Sequence, residues 1–299
     1  MVPKRNVEIS RYTGADFEYA YMQLNTLTEE AIASYCRSLR ERLGKIPLTG
    51  EQSEIWIVRA YASVKYLLAA SLMLASAEFA AKHNLKIVQP YLLYYALFNT
   101  SHAFLLTLPE QEWRDGAILD DVTHQKAQNV TVDYLRHLSP EMARKFKDVS
   151  GRAMATREML SYKFPALGLT GELSNVVPDF GEVLDVCQFL AEAAQLHSEC
   201  IQLTFANVSD GPLPTDSVIL KRFFMYEHKS IAGFGDDDDW YRLWQFGRHS
   251  NKPLSLYLTA RAGLVDDFIG SWCPDGEELP EDIQFNPDEA DMRMIFDFQ

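Results

Sequence analysis

Cysteine is scarce in this 299-residue chain: Cys36, Cys187, Cys200 and Cys273 are scattered without paired spacing. That argues against a disulfide framework and fits reduced thiols in a cytosol, which is the expected location. Long apolar runs are missing too. The longest, residues 66–81, is broken by Ser71, Ser76 and Glu78 and falls short of the ~20 apolar residues that cross a bilayer. No membrane span is expected, and no apolar stretch follows the charges of residues 1–8 to make a signal peptide. The chain has no Walker loop, no dinucleotide fingerprint, no Gly-x-Ser-x-Gly elbow and no His-Glu-x-x-His pair. NTPase, dehydrogenase, esterase and metalloprotease readings therefore lack support.

Positive charge is scarce in one half only. Residues 166–299 carry 8 Lys and Arg against 24 Asp and Glu, a net −16, while residues 1–165 carry 20 against 18, a net +2. The acidic half repels nucleic-acid phosphates and suits a basic protein partner. RNA, if bound, falls to the N-terminal half.

What is present is helical periodicity in a chain 47% hydrophobic and 12% aromatic. From Pro90 to Leu106 the large apolar groups recur at Tyr91, Tyr94, Tyr95, Phe98, His102, Leu105 and Leu106, the three-and-four spacing of a helix face. Thr28 followed by two glutamates starts an earlier helix, which Gly44 and Pro47 stop near Leu43. Residues 49–83 read as one long helix or two joined end to end. Thr123 or Asp121 caps a helix through Leu138, and Ser139-Pro140-Glu141 starts another that ends before Pro165. Residues 1–27 read as an extended lead-in, residues 179–205 as a helix and residues 252–272 as helical. Residues 217–226 and 292–298 read as strands able to pair.

The expected fold class is therefore mainly α: an antiparallel helical bundle followed by a smaller acidic α or α+β region. The expected division is a lead-in and first helix (1–50), a helical bundle (51–165) and an acidic domain of unknown type (166–299), with a turn-rich connector at residues 167–178.

Three motifs in order carry a resemblance. Tyr94-Tyr95-Ala96-Leu97-Phe98-Asn99, then Thr123-His124 after a polar loop, then Arg157 with Tyr162 late in a helix together resemble the HEPN superfamily over about residues 54–165. Its members are small helical bundles of toxin–antitoxin, phage-defence and RNA-processing systems. The resemblance implies a prokaryotic setting and commonly a homodimer. Catalytic relatives are metal-independent ribonucleases with an Arg-x(4–6)-His pair, in which a base activates the ribose 2′-hydroxyl and a cation stabilises the phosphorane. Here Tyr162 stands where the histidine belongs, and a phenol of ordinary pKa near ~10 is a poor base at neutral pH. A non-catalytic binding or regulatory component is the leading expectation. An endoribonuclease is the alternative, and a nucleotide or small-ligand module the third.

The expected binding groove gathers Asn99, His102, His124, Arg152, Arg157 and Tyr162, with His124 and Arg157 as catalytic candidates. Literal Arg-x(4–6)-His matches also occur at Arg222/His228 and Arg242/His249, the second pair beside Trp240, Tyr241 and Trp244. Two such matches are close to what chance supplies, and Arg242 with His249, clustered among those aromatics, stay as further nuclease or ligand-site candidates. Cys187, His197 and Cys200 lack an evident fourth zinc ligand, and Gly233 to Asp239 lacks the alternating spacing of a calcium loop. No metal and no cofactor is expected.

Overall fold

The computed structural model describes residues 9–13, 19–110, 123–166, 168–208, 225–228, 231–235, 237–247, 251–260 and 264–272. The architecture is mainly α. In chain order the elements are α1 (Ser10–Thr13), α2 (Glu29–Leu43), α3 (Gly50–Lys82), α4 (Gln89–Leu106), α5 (His124–Leu138), α6 (Pro140–Tyr162) and α7 (Phe180–Thr204). A hairpin of β1 (Met225–His228) and β2 (Ile231–Gly235) follows, then α8 (Asp237–Gly247), α9 (Leu256–Ala260) and α10 (Leu264–Gly270).

Local chemistry explains the boundaries. Thr28, Thr49, Thr123 and Ser139 each accept, through the side-chain hydroxyl, from the backbone N–H three residues on. Asp179 and Glu182 form a reciprocal capping box at the start of α7. Each cap satisfies an orphan N–H and contributes about 1 kcal/mol. Residues 49–83 form one 33-residue helix rather than two. The lead-in holds two short turns, α1 and a 3₁₀ turn at Leu24–Thr26. Within residues 252–272 the described helical segments are Leu256–Ala260 and Leu264–Gly270. β1 pairs antiparallel with β2, Met225 opposite Gly235, with an irregularity between Tyr226 and His228; residues 217–224 and 292–298 lie outside the described residues.

Helix α4 is apolar on most of its circumference because α3, α5, α6 and α7 pack against it, leaving Tyr95 exposed near its start. Only one residue, Ser139, separates α5 from α6, so these two pack as an antiparallel hairpin. Helix α7 is buried without a break from Phe189 to Ile201, so its polar side chains must find protein partners. Glu192 accepts from the backbone N–H groups of Met22, Gln23 and Leu24 at 2.8–3.0 Å. Glu199 accepts from Thr13 Oγ1 at 2.6 Å and Gln195 Nε2 at 2.9 Å. Gln195, Ser198 and Gln202 accept from the N–H groups of Tyr257, Leu256 and Ser255. One cluster of buried apolar residues consequently runs from Ile9 to Phe268 and includes both sides of the turn-rich connector.

Helix α3 is long and apolar enough to cross a membrane by length and composition, but 67% of its apolar window is buried inside the protein. It also carries a buried charge. Arg59, 3% exposed, donates from Nε to the Leu106 carbonyl and from its terminal nitrogen to the Leu108 carbonyl, both at 2.6 Å, with its guanidinium 3.9 Å from the Trp56 ring centroid. The cation thus closes the C-terminal end of α4, where carbonyls and the helix dipole favour it.

Candidate functional site

Helices α4 and α6 run antiparallel, and three contacts set their register. Ser161 Oγ donates to Tyr91 Oη at 3.2 Å, the Arg157 guanidinium lies 5.1 Å from the Tyr94 ring centroid, and Phe98 and Met154 line one groove. Ser150, Met154, Arg157 and Ser161 recur at helical spacing and so share the face of α6 turned to α4. Helix α5 closes the third side. The groove is lined by Tyr94, Leu97, Phe98 and Ser101 of α4, His124, Ala127 and Gln128 of α5, and Phe146, Ser150 and Met154 of α6. It spans about 320 Å3 including its open mouth, of which about 20 Å3 admits the centre of a water-sized body. About one ordered water fits inside.

At the mouth, His124 is the first residue of α5. Its ring stacks on Phe98 with centroids 4.1 Å apart, and its Nδ1 is hydrogen-bonded to the Tyr94 hydroxyl. Phe98 also packs against His102, with ring centroids 4.0 Å apart and the planes tilted. Burial, then the charge of Arg157, pushes the His124 pKa down. Burial pushes the Tyr94 phenol up to about 12, outweighing the opposite pull of Arg157. Tyr94 therefore keeps its proton, and among the described residues His124 Nδ1 is its only hydrogen-bond partner. The roles across this bond follow the tautomer: a phenol donating to Nδ1 leaves the imidazole proton on Nε2, and an Nδ1–H donating to the phenol oxygen leaves Nε2 bare. In the first of these tautomers the imidazole offers an Nε2–H donor. Arg157 forms no ion pair with a carboxylate among the described residues. A guanidinium without a carboxylate, near the N-terminus of α5, suits an anionic oxygen.

The other expected site residues lie elsewhere. Arg152 is turned to Asp148 and Glu182, at 3.0 and 2.9 Å, and ties α6 to α7. Asn99 follows Tyr94 by five residues, which rotates it about 140° round α4 from the groove. His102 is 5% exposed and neither ring nitrogen has a partner among the described residues. Tyr162 is 76% exposed and points away from the bundle core. Arg242 is half-buried near Tyr61, while Arg222, Arg248 and His249 lie outside the described residues.

His197 is a core residue, with Nε2 2.7 Å from the Tyr35 hydroxyl and Nδ1 2.9 Å from Thr107 Oγ1. The Cys200 thiol lies against that of Cys36. Asp239 is buried and receives Tyr61 and Lys65. Among the described residues no three His, Cys, Asp or Glu side chains gather in metal-binding geometry.

Of the residues lining the groove only His124 is among the expected site residues; the polar ones the sequence does not single out as site members are Tyr94, Ser101, Gln128 and Ser150. Gln128 Nε2 donates to Ser150 Oγ across α5 and α6. The spacing of Ser150, Met154, Arg157 and Ser161 was the available signal, since it marks the face of α6 that meets α4. Comparison with family models, with curated proteins and with solved structures returned no match.

Proposed function

We propose that the chain is a HEPN-like bundle that binds RNA at the α4–α5–α6 groove without cleaving it. In this reading it is a cytosolic binding or regulatory component of a prokaryotic defence or toxin–antitoxin system. The observation that carries the reading is the Arg157 guanidinium over the Tyr94 ring, whose hydroxyl also engages His124, with no carboxylate neutralising the guanidinium among the described residues. Because the groove encloses room for about one water, the ligand lies across its mouth, which suits a backbone phosphate of a polymer better than an enclosed nucleotide. The test is fluorescence anisotropy with labelled RNA: Arg157→Ala weakens binding about tenfold, and unchanged affinity overturns the reading.

A metal-independent endoribonuclease is the second reading, supported by an uncharged imidazole beside a cation. It requires the opposite tautomer, with Nε2 unprotonated and able to take the 2′-hydroxyl proton. Long-range nitrogen NMR of His124 separates the two readings. A protonated Nε2 supports binding alone; an unprotonated Nε2, with RNA cleavage lost in His124→Ala, establishes the nuclease. A basic protein partner on the acidic half and a homodimer complete the proposal, and sedimentation of the free chain reads the second directly.

A further inference from the structure

The end of the bundle where α4 begins and α6 stops exposes aromatic side chains that the core does not use. The Ser161–Tyr91 contact brings the two helix ends together. Around it Tyr162 is 76% exposed, Phe164 62% and Tyr95 37%. Phe164 is also held at φ +41°, a left-handed conformation that costs a bulky residue about 1–2 kcal/mol and that glycine usually supplies after a helix. The turn lets the Lys163 and Phe164 N–H groups cap the Met159 carbonyl, both at 2.9 Å, which glycine would also allow, so the cap does not account for an aromatic ring held in solvent there. Lys86 and Lys163 are exposed and have no ion-pair partner among the described residues, and Arg157 stands one turn back on α6. Glu158 is the exposed carboxylate among them. Cations interleaved with exposed rings match the phosphates and base faces of a nucleic-acid strand.

We propose that this end of α4 and α6 binds single-stranded RNA, with unpaired bases stacked on Tyr95, Tyr162 and Phe164 and phosphates on Lys86, Lys163 and Arg157. The inference rests on the reading of the groove as an RNA site and names its substrate class. In a duplex the base faces are stacked on each other, so only unpaired nucleotides can use the ledge. Leu85, Ile87 and Val88, also exposed at this end, make a second copy of the chain the competing occupant.

The experiment uses the full chain and labelled RNA of one sequence, single-stranded or annealed to its complement, at fixed salt. The wild type binds the single strand more tightly. Tyr162→Ala with Phe164→Ala weakens single-strand binding by about ten- to a hundredfold and leaves duplex binding within about twofold, because only unpaired bases reach the rings. Phe164→Tyr, which keeps a ring there, retains affinity. Arg157→Ala weakens both forms. If the double variant binds the single strand like wild type while Arg157→Ala does not, the ledge is overturned and the groove reading stands. If Arg157→Ala also binds like wild type, both fall. If the double variant instead lowers the sedimenting mass of the free protein, the ledge is an interface between copies and the inference is overturned.

Discussion

His102 is a buried imidazole with neither nitrogen bonded among the described residues, and burial, reinforced by His124, holds its pKa down at about 4. The folded protein therefore binds this proton less readily than the unfolded chain, whose histidine titrates near 6.5. The stability so represented is intact above pH 6.5 and is lost as pH falls toward 4, up to about 3 kcal/mol. His197, pushed down to about 3 chiefly by burial, acts with the same sign. Buried Glu192 and Glu199 are pushed up by burial, so their contribution is present below 4.5 and lost as pH rises through their folded values. The difference between variant and wild type isolates the histidine. His102→Leu raises stability at pH 7 by about 1 kcal/mol, because two unbonded polar atoms leave the core. It also flattens the decline between pH 6.5 and 4. Urea denaturation across that range checks both, and an unchanged slope contradicts the assignment.

Helix ends were readable from the sequence because their determinants are local. Thr28, Thr123, Ser139 and Asp179 sit within three residues of the groups they satisfy, and α5 and α6 fall where those caps place them. Contacts between distant elements were not readable. Arg59 reaches carbonyls 47 and 49 residues away, and Glu192 reaches backbone N–H groups about 170 residues away. Nothing near either residue in sequence marks the partner. The groove was half readable: His124 and Arg157 meet at Tyr94 as expected for a groove, whereas Arg152, five residues before Arg157, takes a different face. Two outcomes belong to this scale. Arg59→Met lowers stability by about 3 kcal/mol in urea denaturation, since it leaves buried carbonyls at the end of α4 without their donor; near-wild-type stability contradicts that role. Phe164→Gly raises stability by about 1 kcal/mol by relieving the left-handed strain, and on the ledge account lowers affinity for single-stranded RNA. A thermal melt beside an anisotropy titration shows whether both shifts occur together.

The whole molecule carries its charge unevenly, net −16 after residue 165 and +2 before it, but the acidic half is not merely a solvated surface. Glu192, Glu199 and Asp239 are buried and bonded to the N-terminal segment or to α3. Helix α7 covers faces of α2, α4 and α6, and each large apolar side chain it buries contributes about 1.5–3 kcal/mol. A chain ending at residue 165 is therefore expected to lose its fixed packing, with dye-binding apolar surface and no cooperative thermal transition; a cooperative melt of that fragment contradicts a shared core. The central claim is that Arg157 holds a phosphate at the groove mouth, and the salt dependence of RNA binding reads phosphate contacts one by one. Anisotropy titrations of the full chain and Arg157→Ala over a series of salt concentrations are expected to show weaker binding and a log–log slope shallower by about 0.7, one phosphate contact on a single strand. An identical affinity and slope for the two proteins would place the phosphate elsewhere and contradict the account.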